Sequence, residues 1–212
     1  MIATMSATTA CNALDLSGLS DVFSSSLTAI GVTSGGIVEV GDTIRLEASG
    51  SVSGLIGIFS YAPVLDAEWS VSNPLVAKLI PLPPPPPEDS FPRARVLVRG
   101  LQPGKDTVFA QSHGIRGSAE VRVIQRIDHI DIRTLRDTLF VGDTVPIFLT
   151  TVVGSDGAPI VDVPLTFEAT GGVQLLTYSA PPRVIAIESG PATVTARFRK
   201  ATGTFNLTVL SR

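Results

Sequence analysis

Histidine and cysteine are the residue types most able to carry chemistry in this 212-residue chain. The two histidines are His113, in "QSHGIRG", and His129, in "RIDHIDIR". A zinc site draws on nitrogen and sulfur ligands, and one cysteine cannot form the cysteine cluster that such sites often use. The "GxSxG" motif of a nucleophile elbow does not occur. We therefore expect no catalytic residue, no metal and no cofactor, with both histidines as polar surface residues.

Acidic residues near the middle of the chain are candidate ligands for a calcium ion. They lie in "DHID" (Asp128 to Asp131) and in "SDG" (Ser155 to Gly157). Calcium takes six to eight oxygen ligands. On a regular strand, Asp128 and Asp131 would point to opposite faces and could not share an ion. We interpret the two segments as a solvated linker and a hairpin turn.

The one cysteine, Cys11, follows the small residues "SATTA". This order resembles the end of a bacterial lipoprotein signal, in which the cysteine carries the lipid. The preceding "MIATMSATTA" lacks the positive charge and the apolar run of a secretory signal. Lipid attachment at Cys11 is therefore one hypothesis, and an ordinary thiol in an N-terminal tail is the other.

The overall composition is that of a folded protein. Hydrophobic residues make up 44% and charged residues 17%, with a net charge of −3. Lysine and arginine form no long run, which argues against nucleic acid as a partner. No stretch of eighteen apolar residues occurs, so we expect no transmembrane helix.

The elements that carry these residues are predicted to be β-strands. In "IVEVGDTIRLEAS", alternation puts Ile44 and Leu46 on one face and Arg45 and Glu47 on the other. The segments "DAEWSVSN", "RARVLVRGL" and "SAEVRVIQRI" are short and similar, and Gly, Pro, Asn or Asp ends most of them. This pattern predicts an all-β chain built from sandwiches.

A repeat divides the chain. "VGDT" occurs before "IRLEAS" and again before "VPIFLT". The C-terminal parts of the two copies also align with each other. The aligned pairs are Arg95 with Arg183, Thr107 with Thr193, and Val121 with Leu207. We predict an irregular or partly helical N-terminal arm (1–36), a first β-sandwich (37–125) with a proline-rich insertion (80–92), and a second β-sandwich (126–212).

The first copy resembles the bacterial immunoglobulin-like domain of group 2 (BIG2). The matching segments are Gly41-Asp42-Thr43, Trp69 to Ala77, Gly100 to Ala110 and Val121-Arg122-Val123. The second copy keeps "GDT" and "GPATVTA", has Phe167 at the tryptophan position and lacks the Ser-Asn-Pro run. The resemblance implies two tandem immunoglobulin-like sandwiches over residues 37–212. Their fold core would include Trp69, Val76, Val96 and Phe167.

Two segments are candidates for contact with partners. One is the apolar "GLIGIFSYAPVL", whose alternative is an extra strand or a loop packed on its own sandwich. The other is the proline run, which favours a polyproline II segment and is alternatively a rigid spacer. The candidate contact residues are Leu55, Ile56, Ile58, Phe59, Tyr61, Pro83, Pro84, Pro85, Pro86 and Pro87.

These features favour a non-catalytic structural or interaction protein of the bacterial envelope. Located in the periplasm or at the cell surface, with or without a lipid anchor, it would brace a larger membrane-associated complex by contacting other protein subunits. One alternative is an adhesin or carbohydrate-binding protein, although Trp69 is predicted to be buried and only Tyr61 and Tyr178 could add aromatic contacts. Another alternative is a decoration protein of a phage or virion.

Overall fold

The computed structural model describes residues 27–33, 35–53, 59–62, 64, 66–83, 93–177 and 181–212, and all regular elements within them are β-strands. Accordingly, none of these residues lies in a helix that could cross a membrane. The strands are β1 (Leu27–Val32), β2 (Ile37–Glu39), β3 (Thr43–Ser53), β4 (Phe59–Ala62), β5 (Glu68–Val71), β6 (Ala77–Pro81), β7 (Ala94–Gly100), β8 (Gly104–Ser112), β9 (Ile115–Ile124), β10 (Ile127–Thr134), β11 (Thr138–Phe140), β12 (Thr144–Gly154), β13 (Pro159–Ile160), β14 (Thr166–Gly171), β15 (Val173–Leu176), β16 (Arg183–Ala186), β17 (Gly190–Phe198) and β18 (Ala201–Leu210).

Several sequence-based predictions fall outside the described residues. They concern the lipid attachment at Cys11, the aromatic contact at Tyr178 and most of the candidate contact segment. The contact residues concerned are Leu55, Ile56, Ile58, Pro84, Pro85, Pro86 and Pro87.

The strands pair into four sheets. The first sandwich (β1–β9) has one sheet in the order β1-β3-β7-β6, with β4 also on β3, and another in the order β2-β9-β8-β5. The second sandwich (β10–β18) has the orders β10-β12-β16-β15, with β13 on β12, and β11-β18-β17-β14. In each, a short strand, β2 or β11, pairs in parallel with the last strand, β9 or β18. This is the strand order of an immunoglobulin-like sandwich, so the predicted all-β fold class is confirmed.

Strand register supports most of the predicted alignment. Gly104 pairs with Val123, and Gly190 pairs with Val209 in the same position of the second sandwich. Counting along these strands places Thr107 over Thr193 and Val121 over Leu207, as predicted. The pairing of Arg95 with Arg183 was wrong, because Arg183 takes the position of Leu97. A slip of two residues preserves the in-and-out alternation, so the hydrophobic pattern does not reveal it.

The repeated "VGDT" turns share one backbone conformation. Gly41 has φ of 89° and Gly142 has φ of 94°, a region that side chains disfavour. In the second turn, Asp143 Oδ2 accepts a hydrogen bond from the Phe140 N–H at 3.1 Å. This bond, together with Arg212, lowers the pKa of Asp143. The two turns therefore set the start of β3 and β12 in the same way.

The first strand begins earlier than the predicted boundary at residue 37. Residues 27–32, predicted to belong to the N-terminal arm, form β1 and pair with β3. Ile30 is buried, and a Cβ placed on Gly117 would lie 2.3 Å from the Ile30 carbonyl oxygen. A Cβ placed on Gly203 would likewise lie 2.0 Å from the Ile130 carbonyl oxygen. In both sandwiches a glycine therefore lets the first strand approach the opposite sheet.

Trp69 and Phe167 occupy the same place in the two sandwiches, as predicted. Trp69 pairs with Ala110 and Phe167 with Ala196. The predicted core residues Val76 and Val96 are buried. Trp69 is half-buried instead of fully enclosed, and it packs against both apolar clusters of the first sandwich. Phe167 packs at the margin of the single core of the second sandwich.

Candidate interaction surfaces

A serine, a histidine and an aspartate meet at the tip of the β8–β9 hairpin. His113 and Gly114 have φ of 50° and 77° and form the two-residue turn of this hairpin. The Ser112 hydroxyl lies 2.8 Å from His113 Nδ1 and donates to Asp66 Oδ1 at 2.8 Å. Asp66 Oδ2 approaches that same Nδ1 at 3.8 Å. A catalytic triad needs the two ring nitrogens to face serine and aspartate separately, so this cluster is not one.

The cluster has a structural role instead. The Ser112 hydroxyl is the largest cause of the lowered pKa of Asp66, because its hydrogen bond favours the carboxylate. Ser112 is buried at the end of β8. The bond therefore fastens the segment before β5 to the β8–β9 hairpin.

His129 lies between two carboxylates on β10. Its Nδ1 is 2.8 Å from Asp128 Oδ2 and its Nε2 is 3.6 Å from Asp131 Oδ2. Asp128 and Asp131 were predicted to point to opposite faces, and this was wrong. The register shifts between Ile127 and His129, so that Asp128 and His129 are both exposed. Among the described residues, no group of three acidic, histidine or cysteine side chains is arranged to hold a metal ion.

We expect the Asp128→Asn variant to lower the pKa of His129. The Asp128 hydrogen bond is the largest cause that raises this pKa above 6.5, and Asp131 contributes less. Asp131→Asn should therefore produce a smaller decrease. A raised pKa means that the pair stabilises the fold below about pH 6.5 and that this contribution disappears as pH rises through the folded-state value. Titration of the ring protons by NMR measures both variants, and equal shifts would contradict the assignment.

The two sandwiches meet at a short junction. Only Gln125 and Arg126 separate β9 from β10. Ile124 and Ile127, on either side of them, are both buried in the core cluster of the second sandwich. The Glu39 carboxylate accepts a hydrogen bond from the Ile127 N–H at 3.1 Å. Buried side chains therefore flank the two-residue connection, and a hydrogen bond from Glu39 of the first sandwich holds the start of β10.

Two arginines reach across this junction in opposite directions. Arg199, at the tip of the β17–β18 hairpin, donates to the Ile37 carbonyl at 2.8 Å and lies 3.7 Å from the Asp42 carboxylate. Arg122 donates to the carbonyls of Val161 at 2.9 Å and Asp162 at 3.3 Å. Guanidinium groups can hold two acceptors at once, so each arginine joins two groups of the other sandwich. Sequence reasoning did not find this site.

We expect Arg199→Ala to loosen the orientation of the two sandwiches while leaving each one folded. The contact spans two modules, and the arginine is only partly exposed. Residual dipolar couplings measured on both sandwiches should fit a single alignment tensor in the wild type and separate tensors in the variant. Arg197→Ala is the matched control, because Arg197 pairs with Glu168 inside the second sandwich at 3.1 Å. A single tensor for Arg199→Ala would show that Arg199 does not fix the junction.

Part of the predicted contact segment is an extra strand. Phe59 to Ala62 form β4, which pairs with the end of β3, as in the alternative interpretation. Pro83 is exposed just after β6.

In the second sandwich, the paired residues Phe140 of β11 and Leu210 of β18 are 45% and 42% exposed. In the first sandwich the position of Leu210 is taken by Ile124, which the junction covers to 3% exposure.

Comparison with known proteins gives fold-level similarity only. No family model and no curated protein matches the sequence. The surface-layer protein SbsC, domains 4–9, is 16% identical over 88% of this chain, with a TM-score of 0.36, and this chain spans 32% of it. SbsC domains 5–6 are 19% identical, with 88% and 98% of the two chains covered and a TM-score of 0.36. The Yersinia pseudotuberculosis adhesin InvE is 14% identical, with 87% and 60% covered and a TM-score of 0.34.

Proposed function

We propose that this chain is a non-catalytic structural or interaction protein of the bacterial cell envelope. The observation that carries the proposal is the junction, where Arg199, Arg122 and Glu39 form hydrogen bonds between the two sandwiches. A fixed orientation between modules serves a protein that spaces or braces its partners. It offers no chemistry by itself.

The placement of the reactive side chains supports a non-catalytic role. Ser112, His113 and Asp66 meet without the geometry of a triad, and His129 is an exposed member of an ion pair. Both histidine side chains are exposed, His113 at a hairpin tip and His129 on the outer side of β10. A cofactor is not part of the proposal.

At the family level, we propose two tandem domains of the BIG2 type, the second divergent. Support comes from the repeated Gly-Asp-Thr turn and from the shared position of Trp69 and Phe167. In the first copy, the Asn73 side chain also accepts a hydrogen bond from the Leu75 N–H at 3.1 Å, which forms a turn within the Ser-Asn-Pro run.

The proposed setting is the periplasm or the cell surface, where the chain would act as an accessory subunit of a membrane-associated assembly. Other protein subunits would be its partners, and Cys11 would carry a lipid anchor if the native N-terminus is processed there. The mass of the N-terminal peptide from native cells tests that attachment directly.

The size of the native particle tests the accessory-subunit proposal. Cells would be extracted in mild detergent, and the particle that carries this chain would be sized and its co-purifying chains identified. We expect a large membrane assembly. Migration alone, near the 22.2 kDa of the chain, would contradict the proposal and favour an adhesin. Glycan-array binding that is lost in Tyr61→Ala or Tyr178→Ala would then identify the carbohydrate-binding alternative.

A further inference from the structure

We propose that the distal end of the second sandwich binds the proximal end of the first sandwich of a second copy of this chain, so that copies associate head to tail. The distal end is marked by Phe140 and Leu210, which close β11 and β18. The proximal end is marked by Leu27, which opens β1, and by His113 at the tip of the β8–β9 hairpin. This proposal does not depend on the accessory-subunit function, because the purified chain alone tests it.

The distal end has the same backbone as the end of the first sandwich that lies at the junction. The last paired residues are Phe140 and Leu210 in one and Glu39 and Ile124 in the other. The N–H of the residue after Phe140 donates to the Leu210 carbonyl at 3.0 Å, and the N–H of the residue after Glu39 donates to the Ile124 carbonyl at 2.9 Å. The two ends are therefore equivalent, and the second sandwich packs against the first of them within the chain.

The exposure of the side chains differs between these equivalent ends. Ile124 is 3% exposed, because it is buried in the core cluster of the second sandwich. Leu210 takes the same position in the distal end and is 42% exposed. Phe140, which replaces the polar Glu39, is 45% exposed beside it. The distal end therefore presents a pair of large apolar side chains at the place where a sandwich docks at the junction, and covering them is favourable.

The proximal end of the first sandwich carries the elements with which the second sandwich forms the junction. Those elements are the start of β10 at Ile127 and the tip of the β17–β18 hairpin at Arg199. Leu27 takes the place of Ile127, since each opens its strand just before a shift of register. His113 takes the place of Arg199, and the φ angles of these two residues are 50° and 51°. A second copy can therefore bring the same two elements to the distal end.

The charges at the two ends also fit a second copy. At the junction, the incoming hairpin tip places Arg199 3.7 Å from the Asp42 carboxylate. Asp143 is the equivalent of Asp42 in the distal end, and it is already paired with Arg212 at 3.1 Å. An incoming tip therefore needs no arginine at this position, and the tip of the first sandwich has His113 there. The contact between copies is accordingly an apolar one.

Analytical ultracentrifugation of the purified chain tests the proposal. A head-to-tail contact leaves one end of each kind open, so association does not stop at a pair. A contact between two sandwich ends is small, and we expect a dissociation constant on the order of 100 µM. The weight-average mass should therefore rise from 22.2 kDa without a plateau between about 5 and about 500 µM, and added salt should not reduce the rise. A constant mass, or a plateau at the pair, would overturn the proposal.

The variant Leu210→Asp should weaken the association at least tenfold, because it places a charge in an apolar contact. The matched control is Leu135→Asp, which makes the same change at a leucine that is 71% exposed between β10 and β11. The control should change the dissociation constant less than twofold. A thermal melt shows that both variants are folded. Equal losses in the two variants would contradict the assignment of the contact to the distal end.

A mixture of two variants tests the head-to-tail geometry. His113→Asp alters the proximal end, since it brings a carboxylate towards Asp143 of the other copy. Each variant, Leu210→Asp or His113→Asp, keeps one intact end, so each alone should remain near 22.2 kDa. An equimolar mixture at about 500 µM should form pairs and no larger species, because one matching contact is restored. This pairing also shows that the intact ends are folded, and a mixture that remains monomeric would overturn the proposal.

Discussion

Replacement of Trp69 with alanine is expected to lower the free energy of unfolding of the first sandwich by about 3 kcal/mol. The indole packs against two apolar clusters, one containing Val96 and Val108 and the other Ile30 and Ala110. Its removal leaves a cavity where the clusters meet. The value lies at the lower end for a core aromatic, because Trp69 is half-buried.

Urea denaturation followed by NMR measures this loss in each sandwich separately. The methyl groups of Val108 and Val194, at equivalent buried positions, report on the first and second sandwich. Phe167→Ala is the matched variant, and it should destabilise the second sandwich instead. A loss below about 1 kcal/mol for Trp69→Ala would contradict a core role and would assign the indole to ligand binding.

Asp106→Ala is expected to cost the first sandwich about 2–3 kcal/mol. Asp106 is only 2% exposed, and its Oδ1 accepts hydrogen bonds from the Ser72 hydroxyl at 2.6 Å and the Asn73 N–H at 2.9 Å. Ser72 Oγ in turn accepts from the Thr107 N–H at 3.1 Å. The carboxylate therefore ties the end of β5 to β8, and alanine would leave its donors without a buried acceptor.

Asp106→Asn is the control for this loss. Asparagine keeps an oxygen at the Oδ1 position, and it changes only Oδ2, a buried atom without a hydrogen-bond partner. The same urea experiment should give a smaller loss for asparagine than for alanine. Equal losses would mean that the carboxylate charge, and not the accepted hydrogen bonds, carries the stabilisation. Ala192 occupies the equivalent position in the second sandwich, so the network belongs to the first sandwich alone.

The strands and their inward faces could be predicted because local alternation encodes them. Two-residue periodicity placed Leu46 on one face of its strand together with Ile44, and Leu46 is buried in the core. The segment "LTAIGV" of β1 has no such alternation, and its burial is irregular. Its place depends on pairing with β3 and on close approach to Gly117, neither of which a local pattern contains.

The junction could not be predicted for a different reason. A charged residue at an alternate position of a strand predicts only that its side chain faces solvent. It does not predict which other residues lie beside that side chain. Arg199 meets Ile37 across 162 positions of sequence. Register and module orientation are properties of the assembled sheets.

The parallel pairing of β2 with β9, and of β11 with β18, determines how the chain responds to mechanical tension. A pull that draws the chain before β2 and the chain after β9 apart slides these two strands past each other. Their hydrogen bonds are then loaded together in shear, whereas strands peeled from a hairpin break their bonds one at a time. Forced unfolding depends on the barrier to this first rupture. Each sandwich therefore contains its own mechanical clamp, and the packed junction passes the load from one clamp to the next.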